Sequence, residues 1–82
     1  MKKITGAQIR GARALIRWTA EDLADAAGVG LSTIRRAEAE DGIPLITGAN
    51  LKLIRVALEG KGIEFIPEDA GGAGVRFKNR TT

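Results

Sequence analysis

Thr19-Ala20-Glu21-Asp22-Leu23-Ala24-Asp25-Ala26-Ala27-Gly28-Val29-Gly30-Leu31-Ser32-Thr33-Ile34-Arg35-Arg36-Ala37-Glu38 is the stretch that decides the fold. It reads as two short helices joined by a tight turn. Thr19 is a strong N-cap type, and Asp22 stands three residues on, where a carboxylate can close a capping box. Leu23, Ala24 and Ala27 give the first helix one apolar face. Gly28 ends it, because glycine takes the left-handed cap conformation without steric cost. Val29 is a lone apolar residue suited to filling the angle between the helices. Leu31 to Glu38 forms the second helix, with Ile34 and Ala37 facing inward and Ser32, Thr33, Arg35 and Arg36 facing out.

On the N-terminal side, Thr5 and Gln8 repeat the capping-box spacing, and Ile4 and Ile9 flank the cap as a hydrophobic staple. Ile9, Ala12, Leu15 and Ile16 recur at helical spacing. Arg10, Arg13 and Arg17 run along another part of this helix, and Gly11 weakens it modestly. The single tryptophan, Trp18, precedes the Thr19 cap and reads as core packing with Leu23.

On the C-terminal side, Ala39 to Pro44 is a loop with Gly42 and Pro44 as breakers. Thr47 caps a fourth helix with Leu51, Ile54, Ala57 and Leu58 on one face and Leu53 and Val56 off it. Gly60 and Gly62 end that helix. Ile63-Glu64-Phe65-Ile66 and Val75-Arg76-Phe77-Lys78 are short β-prone runs around a Gly-rich turn, the pattern of a hairpin. A lone hairpin is marginal in water, so it must pack on the helices, with Leu53 and Val56 as candidates to receive it, or pair with another chain. The last four residues, which include Arg80, read as a frayed end.

The chain has 82 residues, a net charge of +3, no cysteine and no histidine. Disulfides, zinc-finger chemistry and the commonest general base are therefore absent. Nothing in the sequence suggests an enzyme, a metal site or a cofactor. No apolar run approaches membrane-spanning length, so a soluble cytoplasmic protein with no membrane partner is expected. Residues 1–36 hold seven basic and three acidic residues, whereas residues 37–70 hold three basic and seven acidic ones. A basic first half is compatible with a polyanionic partner.

The order of a helix, a capped helix, a Gly turn, a helix bearing hydroxyls and arginines, a loop and a capped helix resembles the helix-turn-helix domain of the XRE/Cro/phage-repressor family. The match covers about residues 5–59. Its most specific part is Leu23-Ala24-Asp25-Ala26-Ala27-Gly28-Val29 with Ser32-Thr33-Ile34-Arg35-Arg36-Ala37-Glu38. The tail from Ala57 to Phe77 looks like a subgroup of small bacterial regulators of this family. The resemblance implies a mainly α, lambda-repressor-like domain over residues 1–62, followed by a dimerising β-hairpin over 63–82.

It also implies a function: sequence-specific binding of double-stranded DNA by a homodimeric transcriptional regulator, in the cytoplasm and associated with the nucleoid. Carried over position by position, the base contacts fall on Leu31, Ser32, Arg35 and Arg36. An arginine there can grip guanine O6 and N7 with both prongs of its guanidinium. The phosphate contacts fall on Lys2, Lys3, Arg10, Arg17, Thr33, Thr47 and Lys52, with Arg76, Lys78 and Arg80 as possible additions. Arg13 and Glu38 take the places of a structural ion pair that family members often form. Leu53, Val56, Ile63, Phe65, Val75 and Phe77 supply the apolar surface for a dimer interface.

Two departures from the family weaken phosphate anchoring. Ala20 stands where many members carry a phosphate-contacting Gln, and Glu40 and Asp41 make the loop after the third helix acidic. These departures motivate a second class of function: a protein-interaction module, such as an antiactivator or the binding half of an antitoxin, built on the same scaffold and binding another regulatory protein with weak or no affinity for DNA.

Overall fold

The computed structural model describes residues 3–68 and 71–78. Four helices precede a two-stranded antiparallel hairpin: α1 Gly6–Leu15, α2 Ala20–Ala27, α3 Leu31–Glu38, α4 Gly48–Glu59, β1 Ile63–Ile66 and β2 Gly74–Phe77. Lys2, Arg80 and the rest of the expected frayed end lie outside the described residues.

The local signals act where the side-chain chemistry puts them. Thr5 accepts from the Gln8 backbone N–H and Gln8 returns the bond to Thr5 N–H; Thr19 and Asp22 do the same at α2. Thr47 accepts from Asn50 N–H at α4. Gly28 ends α2 at φ 71°, in the left-handed region. At the end of α1 the same kind of position is held by Arg17, at φ 59°. Trp18 N–H bonds to Arg13 O and Arg17 N–H to Ala14 O, which makes this a Schellman-type end with a side chain where glycine is usual.

One apolar core joins all six elements. Ile4, Ile9, Leu23, Ile34, Ile54, Leu58 and Ile63 are its largest fully buried side chains, and Phe65 belongs to the same cluster. Trp18 and Val29 pack against it, partly buried. Leu15 does not: it is 39% exposed at the C-terminal end of α1.

The hairpin is built into this core. Ile63 faces Phe77 and Phe65 faces Val75 on the inner side, while Glu64 and Arg76 pair on the outer side. β2 packs on α1, and β1 packs on α4. At Gly11 a Cβ would stand 3.2 Å from Val75 Cγ2, so the small residue lets β2 approach α1 closely. The hairpin does not rest on Leu53 and Val56, which are 46% and 51% exposed. Ile63 and Phe65, expected at a dimer interface, are buried within the chain itself and leave no surface for a partner. Val75 and Phe77 are likewise partly committed to the core.

Gln8 connects the two parts. Its Oε1 completes the α1 capping box, and its Nε2 donates to Ile66 O at 3.0 Å and to Gly74 O at 2.9 Å. Those carbonyls sit at the loop end of the hairpin, in the facing pair Ile66 and Gly74. A buried amide thus has its donors and its acceptor all used.

Candidate nucleic-acid interface

α3 owes its position to both of its ends. At the N-terminus, the left-handed Gly28 turns the chain, and Val29, packed against the core, fixes the angle from α2. Gly30 is the N-cap and offers no side-chain hydrogen bond. Inward, Ile34 and Ala37 are fully buried.

At the C-terminus, two arginines one turn apart on α1 hold the helix. Arg13 Nε donates to Glu38 Oε2 at 2.8 Å and Nη2 to Oε1 at 2.9 Å, a two-pronged pair. Its remaining Nη1 donates to Trp18 O at 2.8 Å. The pair is mostly shielded, with side chains 24% and 10% exposed. The bond to Glu38 pushes the Arg13 pKa up, against the opposing effect of burial. Arg10 donates to Glu38 O, at the carbonyl-rich end of α3, and pairs with the Asp41 carboxylate. A cation at that end also suits the helix dipole.

The backbone closes the junction. Gly6 N–H bonds to Gly42 O at 2.8 Å. A Cβ on Gly6 would stand 1.9 Å from Glu40 O and 2.6 Å from Ala37 O, so only glycine lets α1 start this close to the end of α3.

With its inward face and its end fixed, α3 presents an outward face with Ser32, Arg35 and Arg36 exposed. Among the described residues neither arginine has an ion-pair partner, so both guanidiniums keep their donors free. Leu31 and Thr33 are half-buried, and Leu31 packs against the core with part of its side chain. The four expected base-contacting residues therefore share one helix, and three of them are open to solvent.

The expected phosphate contacts fare unevenly. Arg10 is already engaged: Nη1 donates to Glu38 O and Nη2 pairs with Asp41, which accounts for Asp41 in the acidic loop without reference to a ligand. Arg17, Lys3, Thr47 and Lys52 are exposed. Lys3 lies at an open groove beside the loop of the hairpin with Ile43, Pro67 and Glu68. Lys52 lies on the solvent side of α4. Arg76 is paired with Glu64 at 3.1 Å on the outer face of the hairpin.

Sequence reasoning missed the structural roles of three residues that matter here. Gly6 and Arg10 position α3, and Gln8 ties down the hairpin. Only the Gln8 capping box had a local signal. Among the described residues there is no group of three or more acidic side chains that could hold a metal ion, and no helix is long and apolar enough to cross a membrane. The chain matches no protein-family model and no curated protein sequence.

Proposed function

We propose that this protein is a sequence-specific DNA-binding transcriptional regulator that reads a near-palindromic operator as a homodimer. The observation that carries the reading is the asymmetry of α3. Its buried side and its end are fixed to α1 by Arg13, Arg10 and Gly6, while Ser32, Arg35 and Arg36 are exposed and uncommitted. A rigidly held helix carrying free guanidiniums suits a major groove. In the proposed complex α2 and α3 act as a helix-turn-helix unit. Arg36 and Arg35 contact base edges with Ser32, and Leu31 adds apolar contact.

Lys3, Arg17, Thr33, Thr47 and Lys52 are the phosphate contacts this reading retains. They are few, and phosphate contacts supply much of the affinity of such proteins. One α3 reads only a few base pairs, so a two-fold pair with two helices about one DNA turn apart supplies the rest. On this reading the protein works in the cytoplasm, on the nucleoid.

A mobility-shift titration on the DNA upstream of its own gene, repeated across a salt series, tests the reading. The expected result is a shift that weakens steeply with salt and exceeds that on an unrelated duplex. If no salt-sensitive binding is found on any duplex, the protein belongs instead to the class of protein-interaction modules.

A further inference from the structure

α4 carries a second apolar face that the fold does not use. Ala49, Leu53, Val56 and Gly60 follow one another at intervals of four, three and four residues, the spacing of one helix face. The buried residues Leu51, Ile54 and Leu58 occupy the opposite side. Leu53 and Val56 are 46% and 51% exposed, and Ala49 and Gly60 are exposed beside them. Surface leucine or valine is ordinary when it stands singly. Here the two form the middle of a continuous stripe with small residues at both ends.

The charges beside the stripe identify what covers it. Lys52 and Glu59 lie on one flank, two helical turns apart, and the other flank carries Asn50 and Ala57, which are uncharged. A two-fold axis perpendicular to α4 lays a second α4 antiparallel on the first and keeps equal flanks side by side. Lys52 then meets the partner's Glu59, and the symmetric pair forms at the other end. Leu53 meets the partner's Val56 in the middle, and Ala49 meets the partner's Gly60, where small residues permit close approach. A parallel arrangement would set Lys52 against the uncharged flank. Glu59 already receives Arg55 of its own helix at 3.2 Å, while Lys52 has no ion-pair partner among the described residues.

We infer that α4 is the homodimer interface: an antiparallel α4–α4 contact centred on Leu53 and Val56, with register set by two Lys52–Glu59 pairs between copies. This deepens the two-fold part of the proposed function. It takes Lys52 out of the set of phosphate contacts and removes the hairpin from the interface.

Sedimentation equilibrium of the full chain without DNA, across roughly 1 µM to 1 mM, covers the affinities of small interfaces. The expected result is a monomer–dimer equilibrium. Leu53→Lys and Val56→Lys abolish the dimer across that range. Lys52→Glu and Glu59→Lys each weaken it about tenfold, by replacing attraction with repulsion at two symmetric points. The double variant Lys52→Glu with Glu59→Lys restores it. All four positions are exposed, and a melting temperature equal to that of the wild type, each measured at a concentration where the wild type is monomeric, shows that the fold is intact. Three results overturn the inference: a wild type that stays monomeric throughout, a Leu53→Lys variant that dimerises as the wild type does, or a double variant no better than either single one. Failure of the DNA reading looks different, because the dimer then forms normally and no duplex is bound.

Discussion

The Arg13 guanidinium and the Glu38 carboxylate form a two-pronged ion pair across the junction of α1 and α3, with N–O distances of 2.8 and 2.9 Å. The pair is mostly shielded from water, and Arg13 holds Trp18 O with its remaining nitrogen. Replacing Glu38 with alanine strands a cation in that setting, an outcome more costly than the loss of an exposed pair. Glu38→Ala should lower unfolding stability by about 2–3 kcal/mol in urea titration. Arg13→Lys should recover little, because an ammonium cannot make the fork and the carbonyl bond together. A change in the Glu38→Ala variant below about 0.5 kcal/mol, the level of ordinary surface substitutions, would contradict this account of the junction.

Gly6 is the second fixed point. A methyl group there meets two backbone carbonyl oxygens, Glu40 O at 1.9 Å and Ala37 O at 2.6 Å. Backbone cannot swing aside as a flexible side chain can. Gly6→Ala is therefore expected to cost about 3 kcal/mol or more, although alanine is the better helix former. Thermal unfolding measures it. A stabilised Gly6→Ala variant would show that α1 and the α3–α4 loop are farther apart than described.

Gln8 reaches from the α1 cap to both strands. Gln8→Leu keeps much of the volume but leaves Ile66 O and Gly74 O without their donor, together with the loss of half the capping box. The expected loss is roughly 2–3 kcal/mol. Hydrogen exchange should localise the effect, with faster exchange at β1 and β2 amides than in α2 or α3. Uniform acceleration over the whole chain would argue that the hairpin does not open separately.

The helices and their caps were legible in the sequence because their signals are local. Thr5 with Gln8, Thr19 with Asp22 and Gly28 each act within a few residues of themselves. The hairpin was legible as a pattern too. Its seat was not. Leu53 and Val56 looked ready to receive it, but Gly11 and the Gln8 amide draw it onto α1, across 58 to 66 residues of sequence in the case of Gln8. Nothing local marks such contacts. The same holds for Arg10: three arginines along α1 look alike in sequence, and only the approach of Asp41 and the α3 end separates a structural arginine from an exposed one. On α3, the sequence showed which residues face out, and the structure adds that Leu31 is partly drawn into the core.

Acid sensitivity should have one identifiable source on the hairpin. The hydrogen bond from Arg76, and then its charge, hold the Glu64 carboxyl below its ordinary value of 4.5. A carboxyl with a lowered folded-state pKa binds protons less readily when folded than when unfolded. Its contribution is present above the ordinary value and is lost as pH falls through the lower, folded one. Glu64 and Arg76 are exposed, so the effect is small and screened by salt. Glu64→Gln should lower the melting temperature slightly at neutral pH and flatten its fall on acidification below about 4.5. A melting temperature that falls with acid as steeply in Glu64→Gln as in the wild type would exclude this pair as a contributor.

On the proposed function, the exposed arginines of α3 read base edges. The most direct measurement is the ratio of affinities for a selected operator and a scrambled duplex, at one salt concentration, for the wild type and for Arg36→Ala. Arg36 is exposed and unpaired, so the variant should keep its melting temperature. The wild type should prefer the operator and Arg36→Ala should lose about tenfold or more of that preference, in line with the loss of one two-pronged base contact. An Arg36→Ala ratio equal to that of the wild type, or a wild type that does not distinguish the two duplexes, would contradict it.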